Sequence, residues 1–175
     1  MIGLRALVVD ASVAVSIILK EPEAEEAALL VARCTSSGGQ VFVPGHFWLE
    51  VVNALLRRQK WDGARVLQAI HALDDLQFEA VELDRASIVL TIDLGERHGL
   101  TAYDAGYLAL AESINADLAT FDAALRSAAG ARAIHIGPAR LAEATTPYEH
   151  EVTWPAYKGA SAFLAKLRAE AVRPG

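Results

Sequence analysis

Four acidic residues stand where apolar runs meet helical patterns: Asp10 after LRALVV, Glu50 within FWLEVVNALL, Asp104 within TAYDAGYLALA, and Asp122 two residues past DLAT. Clustered carboxylates without histidine or thiol companions suit a hard cation such as Mg2+ or Mn2+ rather than zinc. The five histidines (His46, His71, His98, His135 and His150) show no close pairing, and Cys34 is the single cysteine, so neither a thiolate metal site nor an intrachain disulfide can be drawn. A divalent ion held by carboxylates activates water and stabilises the departing oxygen of a phosphodiester, the logic of many nucleases.

Each acid also has an ordinary explanation to be weighed against that one. Asp10 and Asp122 suit helix N-caps, and Thr101 with Asp104 has the T-x-x-D spacing of a capping box. Glu50 resists this treatment, because its helix is apolar almost all the way round except for Asn53, three residues on and therefore on the same face. A helix apolar on every side is expected to be buried, and a buried carboxylate is costly unless paired or bound to a cation. No basic residue lies within one turn of Glu50, and the Asp104 helix has the same apolar character. Thr120 shares a strand face with residues 118 and 122, which aims its hydroxyl toward the edge where Asp122 lies. Asn53 is placed to orient Glu50 or a water. A plain strand threonine and a buried asparagine bonded to backbone are the competing readings.

The elements that must position these residues alternate. Strands are expected at Leu4–Val9, Gln40–Pro44, Phe78–Val81, Asp117–Thr120 and Ala131–Ile136. Helices are expected from Ser12 to Leu19, Glu23 to Ser36, His46 to Lys60, Asp62 (as N-cap) to about Leu76, Asp84 (as N-cap) to near Gly99, Thr101 to about Asn115, and Asp122 to Ala128. Five short strands separated by helical crossovers imply an α/β fold with a mainly parallel sheet sandwiched by helices. Asp10, Asp104 and Asp122 then all reach the carboxyl edge, where such sheets place their active sites. Asp117, another acid nearby, falls at the opposite end of its strand.

At 175 residues the chain suits one domain with an appended tail, and an apolar fraction of 53% with 22% charged residues is that of an ordinary globular protein. The apolar run from Ala6 to Leu19 contains Asp10 and ends at Lys20-Glu21, so no export signal and no membrane span is expected, and a reducing cytoplasm is the natural setting. A net charge of −6 argues against a broad basic nucleic-acid surface, although setting the four acids aside leaves only −2. Arg57, Arg58, Lys60 and Arg65 gather around Trp61, an edge suited to RNA phosphates with a stacking ring, or equally to a helix C-terminus beside a core tryptophan.

VVDASVAV, FWLEVVNALLR, TAYDAGYLALAES and LATFDAAL, in that order and with 18 residues from Asp104 to Asp122, resemble the four acidic motifs of PIN-domain nucleases, specifically VapC-type toxins, over residues 4–137. The resemblance implies a PIN-like three-layer α/β sandwich in 1–137 and a C-terminal extension, 138–175, packed on it or at an interface. It implies an Mg2+- or Mn2+-dependent endoribonuclease neutralised by a small VapB-like antitoxin, commonly as a homodimer. Carried over by motif, Asp10 and Asp104 become the leading metal ligands, Glu50 and Asp122 the other acids of the site, and Thr120 a support. Two alternatives stand beside it. One is a PIN-like module that binds RNA or protein without cutting. The other is a phosphoaspartyl phosphatase, which Ala11-Ser12 disfavours by lacking the second aspartate that family places two residues after the first.

Overall fold

Branched apolar residues make β1 (Ala6–Val9), whose Leu7, Val8 and Val9 are fully buried, as a strand covered on both faces requires. A computed structural model describes residues 5–137. The other strands are β2 (Gln40–Pro44), β3 (Phe78–Val81), β4 (Asp117–Ala119) and β5 (Ala133–Ile134). They form one sheet of order β3-β2-β1-β4-β5 in which every neighbouring pair is parallel.

Seven α-helices are found among the described residues: α1 (Ala11–Leu19), α2 (Ala24–Ser36), α3 (Phe47–Asn53), α4 (Gly63–Leu73), α5 (Arg85–His98), α6 (Ala102–Ser113) and α7 (Ala123–Ala129). The chain runs outward from β1 through β2 to β3, then crosses back to β4 and β5 on the other side. Helices α1 to α4 pack as one group, while α6 packs against α5, α7 and strands β1, β2 and β4. Strand order reverses between β1 and β4, and ligands of such sheets bind outside the carboxyl ends at that point. Register Val9 opposite Ala119 sets residues 10 and 120 side by side there.

Local signals explain most helix ends. Asp62 and Asp84 cap α4 and α5 by accepting from Arg65 N at 2.9 Å and Ser87 N at 2.8 Å, and Gly99, at φ 65°, closes α5 in the left-handed region. Helix α6 is the core helix, with Ala105 through Ala111 all buried.

Helix α3 departs from the sequence expectation in two ways. It ends at Asn53 and continues as a π turn, Ala54–Arg58, instead of running on regularly to Lys60. It is also not buried all round: Phe47, Val51 and Leu55 face the core, whereas Leu49 is 72% exposed and Asn53 and Leu56 also face outward. Apolar surface residues imitate a core face in the sequence. The expected C-terminal extension, 138–175, lies outside the described residues. No helix among those described is long and apolar enough to cross a membrane.

Candidate functional site

Asp10 follows β1 with the extended backbone of an N-cap (φ −80°, ψ 153°), yet its side chain makes no capping bond to α1. Its Oδ2 accepts instead from Ser12 Oγ at 2.5 Å and from Thr120 Oγ1 at 2.7 Å. Both hydroxyls work twice, since Phe121 N donates to Ser12 Oγ and Asp122 N to Thr120 Oγ1, each at 3.0 Å. The β1–α1 and β4–α7 junctions are thereby tied through one carboxylate that is only 5% exposed. Burial pushes the Asp10 carboxyl above the usual range, the Ser12 and Thr120 hydroxyls pull it back in part, and the nearby charge of Asp104 adds to the rise.

Asp122 caps a helix and also lines the site, and Asp104 lines it from the first turn of α6 beside the cap Thr101. Thr101, the N-cap of α6, accepts through Oγ1 from Asp104 N at 3.2 Å and donates to Asp104 Oδ2 at 2.7 Å, so the Asp104 carboxylate returns to the Thr101 hydroxyl and not to its backbone N–H as a full capping box requires. Asp122 Oδ1 accepts from Leu125 N at 2.7 Å and caps α7. The capping reading therefore holds for Asp122, holds for Asp104 only in its Thr101 half, and fails for Asp10.

Glu50, half-buried on α3, accepts from the phenol of Tyr107 on α6. Burial raises its carboxyl above the usual range, the Tyr107 bond opposes that, and Asp10 and Asp104 add to it. The same burial and the Glu50 charge push the Tyr107 phenol strongly upward, so it remains a proton donor. His46 Nε2 lies 3.8 Å from Glu50 Oε2, a contact too long for a hydrogen bond. That buried nitrogen has no hydrogen-bond partner, and burial lowers the ring's pKa, so we read it as a neutral imidazole packed edge-on against Tyr103 and Tyr107. Gly106 makes room for it: a Cβ there would stand 2.9 Å from His46 Cε1 and 3.3 Å from Leu83 Cδ1.

Asp10, Glu50, Asp104 and Asp122 line one cavity of about 340 Å3, together with Ser12, Glu21, Asn53 and Arg58. The shared cavity, and the carboxylate charges that help to raise the Asp10 and Glu50 carboxyls, make an acidic centre. Among the described residues, however, no three acidic, histidine or cysteine side chains are drawn close enough to grip a single ion. Thr120, expected to aim its hydroxyl toward the edge of Asp122, bonds there to Asp10 Oδ2 and to Asp122 N. Asn53 sits exposed on the rim, and no hydrogen bond joins it to Glu50 among the described residues. Asp117 lies at the far end of β4, as expected.

The basic stretch divides. Arg65 places its guanidinium over the Trp61 ring at 3.8 Å and Trp61 packs against the core, while Arg58 faces the cavity. Sequence reasoning missed Ser12, Glu21, His46 and Tyr107. Two of them offered a signal: Tyr107 is three residues beyond Asp104 and His46 four before Glu50, each at helix-neighbour spacing from an acid of the site.

A PIN domain family model matches residues 7–131. Ribonuclease VapC3 of Pyrobaculum aerophilum is 32% identical over 120 residues, covering 66% of this chain and 88% of the relative. Among solved structures, a toxin–antitoxin complex from Klebsiella pneumoniae aligns with TM-score 0.56 at 17% identity, covering 75% of this chain and 98% of that one. VapC20 of Mycobacterium tuberculosis, titled a sarcin–ricin loop cleaving toxin, aligns with TM-score 0.54 at 19% identity over 71% of this chain and 95% of that one. These two similarities bear on fold. The family match spans every strand and helix that brings an acid to the cavity, and the chain belongs to the PIN domain family, among its VapC-like members.

Proposed function

We propose that the protein is an endoribonuclease that uses Mg2+ or Mn2+ to hydrolyse RNA phosphodiesters, acting as the toxin of a VapBC-like pair. The observation that carries this reading is Asp10, buried at the reversal point of the sheet, held by two hydroxyls, and sharing a cavity with Glu50, Asp104 and Asp122. Support comes from a 32% identical relative that is a ribonuclease, and from fold neighbours that are toxins or bound to antitoxins.

The donor set fits a hard cation. It is made of carboxylate oxygens, its Asp10 is buried with no cationic partner among the described residues, and nearby carboxylates add to the raised proton affinity of Asp10 and Glu50. Asp10, Glu50, Asp104 and Asp122 would hold it. Such a cation, when bound, supplies an activated water and neutralises charge on the departing oxygen.

The chain's own part is preorganisation. Each of the four carboxylates has one oxygen already fixed: Asp10 by Ser12 and Thr120, Glu50 by Tyr107, Asp104 by Thr101, Asp122 by the backbone of Leu125. Thr120 supports Asp10 directly, and Asn53, on the cavity rim without a bond to Glu50, is left the role of orienting a water. Partners in this reading are RNA, a VapB-like antitoxin and a second copy of the chain, in the cytoplasm.

One observation favours a second reading, a module that binds RNA without cutting: no three acids stand within reach of one ion among the described residues. Incubation of antitoxin-free protein with total RNA in Mg2+, Mn2+ and EDTA, beside Asp10→Asn, separates the two. Metal-dependent cleavage lost in the variant is the expected result. RNA left intact by folded, metal-binding protein under every condition would favour the binding module.

A further inference from the structure

Arg58 is the one basic side chain lining the acidic cavity among the described residues. None of the described carboxylates pairs with it. A change of helix geometry brings it there. At about 3.6 residues per turn, the residue two turns beyond Glu50 is Arg57, seven places on. Past Asn53, however, the helix widens into the π turn Ala54–Arg58, and Gln59 N donates to Ala54 O, five residues back, at 3.3 Å. A turn holding more residues delays the face by one, so Arg58 takes the place beneath Glu50 and Ala54 that Arg57 would have filled. Glu50, Ala54 and Arg58 line the cavity, and Arg57 does not. Single π turns within helices are uncommon and often mark functional sites.

A guanidinium that lines a ring of acids without pairing to any keeps its planar fork for another anion, and a phosphate matches that fork. The acids repel a polyanion, and Arg58 is the only described cation lining the cavity to oppose that. The other basic residues of this stretch lie elsewhere: Arg65 is over Trp61, and neither Arg57 nor Lys60 lines the cavity. Resting on the ribonuclease reading, we propose that Arg58 binds the non-bridging oxygens of one RNA phosphate at the cavity and so positions the adjoining phosphodiester among the carboxylates. Arg57, one residue earlier, does not share that role.

The test uses the full chain and a single-stranded RNA oligonucleotide that the wild type cleaves. If no RNA is cleaved by the wild type, the ribonuclease reading falls and takes this assignment with it; the remaining arms bear on Arg58 alone. Arg58→Ala is expected to lower kcat/KM about tenfold or more, Arg58→Lys to restore part of that, and Arg57→Ala to stay within about twofold. Binding is read in the Asp10→Asn background, where adding Arg58→Ala should reduce the slope of log K against log salt by about 0.7, the value for one lost single-strand phosphate contact. An unchanged slope, or equal losses in Arg57→Ala and Arg58→Ala, overturns the assignment. Should Arg58→Ala melt early, Arg58→Gln, which keeps an apolar stem, reads the same slope.

Discussion

Replacing Asp10 by Asn removes a buried charge yet keeps an oxygen able to accept from Ser12 and Thr120. Asp10→Asn is therefore expected to melt higher than the wild type in EDTA, by about 2–4 °C for each kcal/mol relieved. Linkage fixes the pH dependence of that gain. With the folded pKa of Asp10 raised above 3.8 and that of Glu50 above 4.5, the folded state holds these protons longer than the unfolded chain. Their contribution is fully present below the unfolded pKa values and is lost as pH rises through the folded ones. In EDTA, wild-type melts should lose more stability between mildly acidic and neutral pH than Asp10→Asn melts do, and Mg2+ should raise the wild-type melting temperature most at neutral pH. Parallel pH profiles for the two proteins would contradict this. At this scale the sequence disclosed which acids meet at one cavity, because their types and order survive folding. It could not disclose their hydrogen bonds: a cap and a cavity-lining acid look alike in Asp122, the Asp104 carboxylate bonds the Thr101 hydroxyl and not its backbone, and the Tyr107–Glu50 bond joins residues 57 apart.

Short apolar runs bounded by turn residues gave β2 and β3 their limits to the residue, and the caps Asp62, Asp84 and Thr101 set the starts of α4, α5 and α6. What stayed illegible was helix phase. The π turn after α3 depends on how the chain packs beyond Asn53, and no residue type announces it. Nor does composition separate Leu49 and Leu56, which are exposed, from Phe47, Val51 and Leu55, which are buried. Helix α6 offers the test at this scale. Alanine is a better helix former than glycine by about 1 kcal/mol, so Gly106→Ala in open space would stabilise. Against His46 at 2.9 Å it is instead expected to destabilise by about 1–3 kcal/mol and to reduce cleavage by shifting the His46–Glu50 contact. Urea melts and single-turnover cleavage check both, and a Gly106→Ala protein more stable than wild type would show that the ring moves aside freely.

Strand number and parallel direction followed from the alternation of strands and helices, but the order β3-β2-β1-β4-β5 did not, since crossovers of similar length can return to either side of β1. Helix α5 leaves Ile88, Val89 and Ile92 outward, with Val89 60% exposed, an apolar stripe on which the proposed homodimer can be tested. Sedimentation of the 18.7 kDa chain should then give about twice that mass, and Val89→Glu should return it toward the monomer. A wild type that sediments as a monomer at all concentrations would remove the dimer from the proposal. The bond between Thr120 and Asp10 spans 110 residues of chain. Synthesis at about 5–20 residues per second separates the two partners by roughly 5 to 20 seconds. A nascent chain therefore passes through most of its synthesis with Asp10 made but unassembled, and gains its cavity only once β4 inserts beside β1. Birth of the chain and onset of its chemistry are thus separated in time by the topology of the sheet.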